Sequence, residues 1–399
     1  MSSRPEFYPS LQQPLFTRLV QSVSPLIGRG LFRVSLRVSL EDLAMLRSLW
    51  GERVVLMPNH PTFDDPIVLF MLGARAGELL HFLAADGTFK DFQGKIIQRL
   101  GAYSIRRGVG DRASIAHTLE LLKKPQTRLV IFPEGGCSFQ NDTVMPFRPG
   151  AVQMPFQAIA RIAKRTGMVP NCHLIPVSLK YRYVQPMTGV IERTLRQLEQ
   201  ALGTVPQTGD FYPRLRQVGE AVLTKIEREY QTHDGRSDLN ERIQNIRHLI
   251  LTTCEQQLEI PPNESLPVRE RVYKILFLLE AAEEPVPNHE AIYRDVLRLL
   301  NFDALYDGYV AEVPTPERFL DTLTRLEREV FDIDQPKAKS HRRAYLKLGQ
   351  PINLADYWAD YRRDRTATVE HITDTIHTAV QTNLTKLGEQ TRSQVVPLP

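Results

Sequence analysis

The chain has 399 residues, 42% of them hydrophobic and 24% charged, which suits a globular protein long enough for one large domain or two smaller ones. Against 50 Lys and Arg stand 46 Asp and Glu, and the net charge of +4 gives no basic stripe of the kind nucleic-acid binding needs. Three cysteines, Cys137, Cys172 and Cys254, lie far apart without paired spacing. They exclude a disulfide framework or a zinc site and fit a reducing, cytoplasmic setting.

The opening Met1-Ser2-Ser3-Arg4-Pro5-Glu6 lacks the basic start and apolar block of a secretory signal. No stretch reaches the roughly 18 apolar residues of a membrane-spanning helix. Between Leu15 and Val38, apolar residues are interleaved with Arg18, Arg29, Arg33 and Arg37, so residues 1–49 are expected to form an amphipathic helical segment. Such a helix either covers the core with its arginines in water, or lays its apolar face among acyl chains with its arginines on anionic head groups. The second reading makes the protein a peripheral, monotopic guest of a membrane surface.

From 50 to 183, short β-rich runs alternate with helical stretches. Strands are predicted over 53–57, 103–105, 129–132 and 174–181, and helices over 66–76, 89–100, 112–123 and 150–164. Asp65-Pro66 reads as the cap and first-turn proline of the first helix. This alternation predicts an α/β fold with a mostly parallel central sheet flanked by helices, whose sites gather where strands end. Those ends fall near His60, Arg107 and Glu134.

Beyond 184 the periodicity is helical over 216–230, 239–258, 268–283, 289–300 and 316–331. Breaks fall at Ile260-Pro261-Pro262, Pro285-Val286-Pro287 and Pro314-Thr315-Pro316. Residues 184–342 therefore read as a large all-helical insertion or subdomain, with no internal repeat apparent. Within it, Glu227-Arg228-Glu229 and Glu327-Arg328-Glu329 read as solvated helix faces, while Trp50, Trp358 and the helix around Phe277 are expected in the core. Residues 343–388 then supply a strand at 344–348 and a helix at 369–387 that rejoin the sheet, and 389–399 form a tail.

The candidate chemistry begins at Asn59-His60-Pro61-Thr62-Phe63-Asp64-Asp65-Pro66, directly after the apolar run Val54-Val55-Leu56-Met57. A histidine at a strand end with a carboxylate five positions on can be held in one orientation while its other ring nitrogen takes a proton. Three further segments follow in order: Gly101-Ala102-Tyr103-Ser104-Ile105-Arg106-Arg107, Phe132-Pro133-Glu134-Gly135-Gly136-Cys137-Ser138, and Leu174-Ile175-Pro176-Val177-Ser178. In order and spacing the four blocks resemble those of the glycerolipid acyltransferase superfamily, the lysophosphatidate and glycerol-3-phosphate acyltransferases. Phe147-Arg148-Pro149-Gly150-Ala151 is similar to a family segment downstream of the third block. The resemblance covers 50–183 well and 343–388 loosely.

The resemblance implies transfer of an acyl group from a coenzyme A or acyl carrier protein thioester to an alcohol of a lipid acceptor. No cofactor and no metal are implied. His60 would be the general base and Asp65 its orienting carboxylate, and backbone donors around Gly135 and Gly136 would meet the developing oxyanion. Arg107, Glu134 and Arg148 would join Gly135 and Gly136 in binding substrate. The default acceptor is lysophosphatidate. The third block departs from the family's Glu-Gly-Thr-Arg-Ser, with Gly136 for Thr and Cys137 for Arg, so one phosphate partner is missing. The alternatives are glycerol-3-phosphate, a non-phosphorylated alcohol or glyceride, and an inactive lipid-binding scaffold.

Overall fold

The structure, a computed structural model, describes residues 7–108, 110–206, 209–232, 238–282, 286–303 and 305–395. The opening six residues, the predicted helix end at 283, the break at Pro285 and residues 396–399 of the tail lie outside the described residues. The chain divides into two units: an α/β unit of 1–106, 111–184 and 341–394, and a helical unit drawn mainly from 185–340.

In the α/β unit the strands are β1 (Val34–Val38), β2 (Arg53–Pro58), β3 (His81–Ala85), β4 (Ala102–Ile105), β5 (Arg128–Val130), β6 (Cys172–Tyr183), β7 (Arg342–Leu348) and β8 (Ile352–Asn353). They form one sheet in the order β1-β7-β6-β2-β5-β3-β4, with β8 also on β6. The run from β6 through β2, β5 and β3 to β4 is parallel. β7 is antiparallel to β6 and parallel to β1. The helical unit is thus an insertion between two neighbouring strands.

Strand β2 explains the layering. All six of its residues are buried, as expected for a parallel strand covered on both faces. Val55 and Met57 pack with Leu119 and Leu122 of α5 (Arg112–Lys123), Phe156 and Ile159 of α6 (Gly150–Thr166), and Ile372 and Ile376 of α15 (Arg365–Gln390). Val54 and Leu56 pack on the other face with Leu46 of α2 (Leu40–Ser48) and Leu69 and Leu72 of α3 (Asp65–Ala76). The side-chain period of two divides one apolar run between two cores.

Several expectations need correction. The segment 15–38 is not one helix: α1 (Pro14–Gly30) stops, Arg33 takes a left-handed φ of 50°, and Val34-Ser35-Leu36-Arg37-Val38 joins the sheet as β1. Strand β3 lacks the β-branched residues that mark strands, so it escapes pattern reading. Trp50 is exposed rather than in the core, whereas Trp358, the first residue of α14 (Trp358–Arg363), packs against the core. Helix α1 itself is turned inside out. Its buried stripe is Thr17, Gln21, Ser24 and Gly28. Thr17 donates to the carbonyl of Arg99, the last residue of α4 (Phe92–Arg99), Gln21 donates to the Glu78 carbonyl, and Gly28 admits Met71 and the Val34 carbonyl closely. Leu15, Leu19 and Leu26, which share a face by the 100° step, are 89%, 65% and 72% exposed.

The helical unit holds α7 (Thr188–Leu202), α8 (Phe211–Glu229), α9 (Leu239–Gln257), α10 (Val268–Ala281), α11 (His289–Phe302), the short α12 (Tyr309–Glu312) and α13 (Pro316–Phe331). The sequence reading missed α7. It also missed a repeat. Glu199, Glu227 and Glu255, 28 residues apart near the ends of α7, α8 and α9, each take a bidentate arginine from the fourth residue of the next helix: Arg214, Arg242 and Arg271. Each pair pins one helical hairpin near its turn. Glu227 is buried in one of these pairs, and Glu327 and Arg328 of α13 are buried as well, contrary to the solvated-face reading. Buried pairs of this kind specify register more than they add stability, because desolvation consumes most of the attraction.

Candidate active site

β2 ends at Pro58 while β6 runs on to Tyr183, so β6 presents an edge that needs partners. Two asparagines supply them. Asn59 donates to the Leu179 carbonyl (3.1 Å) and accepts from its amide (2.7 Å), and Asn141 does the same for Tyr181 at 2.9 and 2.7 Å. The side-chain rungs let the chain leave the sheet at His60.

His60 is held on every side but one. Its Nδ1 lies 2.7 Å from Asp65 Oδ2, and its ring stacks on Phe132 with centroids 4.2 Å apart. Its amide donates to Glu134 Oε1 (2.8 Å), and its carbonyl accepts from the Ser138 amide (2.8 Å) and hydroxyl (3.2 Å). The imidazole remains 15% exposed, while Asp65 is fully buried. With Nδ1–H donated to the carboxylate, Nε2 carries the lone pair, which is the tautomer a general base requires.

Asp65 is not the helix cap that its position before Pro66 suggested. It is the first helical residue, after Asp64, and its carboxylate turns back over the preceding turn. Oδ2 accepts from His60 Nδ1 and the Thr62 amide (3.0 Å); Oδ1 accepts from the Thr62 hydroxyl (3.1 Å) and the Tyr181 hydroxyl (2.5 Å). All four lone-pair positions of the carboxylate are used. Asp64 pairs with Arg342 of β7, whose guanidinium lies 5.1 Å from the Tyr181 ring centroid. Burial raises the Asp64 carboxyl above its usual range, although Arg342 opposes the rise. Burial, reinforced by Asp65, raises the Tyr181 phenol well above its ordinary value, so it stays a neutral donor.

The structure brings His60, Asp65, Glu134, Gly135 and Arg148 together. Glu134 is buried, and one of its oxygens fixes the base's backbone. Gly135 adopts φ 73°, and a side chain there would collide with the Arg148 guanidinium, whose own backbone amide donates to the Pro133 carbonyl. Arg148 therefore lies against the third-block turn. The Gly135 amide donates to the Phe132 carbonyl at 3.0 Å, so it is spent as an oxyanion donor. Gly136 follows in the same turn. Arg107 groups with the helical unit, where it donates to the Tyr273 hydroxyl (3.1 Å) and stacks 4.4 Å from that ring's centroid. Asn59, Thr62, Asn141, Tyr181 and Arg342 were missed from sequence; among them only Asn59 and Thr62 lie inside the histidine block.

The His60–Asp65 pair sits where β2 ends, with the imidazole partly open to solvent. A family model described as an acyltransferase matches residues 37–180, which span β2 to β6 and every block of the site. Comparison with curated proteins finds no match. Residues 37–180 are an acyltransferase domain of the glycerolipid acyltransferase superfamily, and the chain that carries it is an acyltransferase.

Proposed function

We propose that the enzyme moves a fatty acyl group from an acyl-CoA or acyl carrier protein thioester to a hydroxyl of a glycerolipid precursor, with lysophosphatidate as the default acceptor. The carrying observation is the His60–Asp65 contact at 2.7 Å with the imidazole partly exposed. His60 Nε2 takes the proton of the acceptor hydroxyl as its oxygen attacks the thioester carbonyl. The resulting tetrahedral oxyanion collapses, the carbon–sulfur bond breaks, and the imidazolium returns its proton to the departing thiolate. Asp65 stabilises the imidazolium between these steps. No acyl-enzyme is formed.

Arg148 on the third-block turn supports a phosphate-bearing acceptor, since it offers a guanidinium where Cys137 replaces one; such a charged contact contributes about 1.5 to 3 kcal/mol. The same replacement supports a second reading, a neutral glyceride or long-chain alcohol as acceptor. Peripheral membrane association belongs to the proposal as well. The outward leucines of α1 are flanked on the helix surface by exposed Arg18 and Arg29, and exposed Arg33 and Arg37 follow. That pattern suits acyl chains bordered by anionic head groups. No helix among the described residues is long and apolar enough to cross a membrane.

The test supplies labelled acyl thioester on both carriers with lysophosphatidate, glycerol-3-phosphate, neutral glycerides and long-chain alcohols. Product with a phosphate-bearing acceptor, reduced in Arg148→Gln, supports the first reading. Product with a neutral acceptor alone replaces it with the second. Flotation with phosphatidylglycerol vesicles, lost in a Leu19→Ser, Leu26→Ser double variant, supports the membrane face; equal flotation of both proteins removes it.

A further inference from the structure

Tyr181 and Arg342 stand outside the four sequence blocks, yet they complete the surroundings of the base. The Tyr181 hydroxyl makes the shortest of the four hydrogen bonds to Asp65, 2.5 Å. Its ring is covered by Arg342, which also pairs with Asp64, the residue just before Asp65. The Arg342 side chain is 11% exposed, and the effect of burial on its guanidinium is outweighed by Tyr183, Asp64 and Tyr181. It arrives on β7, the strand reached only after the helical insertion. We propose that Tyr181 is a positioning residue that sets the strength of the His60 base through Asp65, and that Arg342 holds Tyr181 and Asp64 in place for it.

The physical argument concerns how much charge Asp65 offers the imidazole. A donor on Oδ1 draws electron density from the carboxylate and weakens its pull on the Nδ1 proton shared across Oδ2. The imidazole is thereby oriented while the carboxylate's pull on its proton is tempered. The other groups around it are Glu134, spent on the His60 amide, Phe132 and Ser138 from the same loop, Cys137 between Gly136 and Ser138, and Arg148 over Gly135. Among the described residues, Tyr181 alone adds a neutral side-chain donor to Asp65 from outside the histidine turn.

The proposal rests on His60 being the base, so His60→Ala is run beside each variant to separate the two claims. In Tyr181→Phe, Asp65 becomes a stronger acceptor and favours the imidazolium. The acid limb of kcat/KM, which reports the essential base, is expected to move up by roughly one pH unit, with the rate recovered at high pH and the acceptor KM unchanged. Arg342→Gln loosens the same hydroxyl and is expected to shift the limb in the same direction by less. Tyr103→Phe is the control: that phenol is equally buried but bonds Thr118, and its loss is expected to leave the limb alone. If Tyr181→Phe does not fold, the Arg342→Gln limb decides. An unshifted acid limb in the folded variants, or an equal shift in Tyr103→Phe, overturns the proposal, while an active His60→Ala overturns the base reading instead.

Discussion

Replacing Asp65 with Asn separates orientation from charge in a way set by the four donors around it. The two donors on Oδ2, His60 Nδ1 and the Thr62 amide, come from ring and backbone; the two on Oδ1 are hydroxyls, which can reverse and accept. An asparagine therefore puts its oxygen toward His60 and Thr62 N, and its NH2 toward the hydroxyls of Thr62 and Tyr181. The tautomer survives and the fold loses little, less than about 2 kcal/mol. What disappears is the negative charge facing the imidazolium. At a charge separation of about 4 Å and an effective dielectric of about 20, that is worth about 4 kcal/mol, a factor of about 10³ in rate for full proton transfer and about 30 for half transfer. Steady-state kcat with saturating thioester and acceptor, together with a thermal melt, measures both. A variant that keeps more than about a tenth of the activity shows that no imidazolium forms in the transition state. One that melts far below the wild type shows that the hydroxyls do not adapt.

Asn59→Ala strips both Leu179 backbone groups of their partners in a buried strand, and urea unfolding is expected to show a loss of about 2 to 4 kcal/mol. Gly135→Ala forces a side chain into a left-handed backbone and against Arg148, so activity is expected to fall more steeply than stability; an alanine variant with wild-type kcat and acceptor KM contradicts the placement of Arg148. His81 is held down to about 4 by burial, partly offset by the Gly101 backbone, with His117 and Lys124 adding to the depression. Its unfolded form binds a proton near pH 6.5, so its stabilisation is complete above that pH. It is lost as pH falls toward 4, roughly 3 kcal/mol in all. Unfolding midpoints between pH 7.5 and 4 check this, and the slope is expected to flatten in His81→Phe.

The His60–Asp65 contact was legible because both residues sit in one turn after one buried strand. Tyr181 and Arg342 were not, since they lie 116 and 278 residues from Asp65 and Asp64, and only the sheet order β7-β6-β2 puts them side by side. Asn141 lies outside the four blocks, yet it serves β6 as Asn59 does. Helix α1 stayed open for a related reason: periodicity finds the apolar stripe but does not say which way it faces, and here Gln21 and Thr17 carry the docking. The helical hairpins misled because glutamate and arginine in a helix are usually solvated, and 28-residue spacing becomes visible only once each pair is seen closed.

The most direct measurement is a single-turnover assay of the purified protein with radiolabelled acyl thioester and lysophosphatidate on vesicles, wild type against His60→Ala, with both proteins checked by circular dichroism. The wild type is expected to transfer label to the acceptor with no protein-bound acyl species, and the variant, equally folded, to transfer none above the uncatalysed rate. Transfer by His60→Ala at the wild-type rate, or label trapped on the protein, would contradict the account.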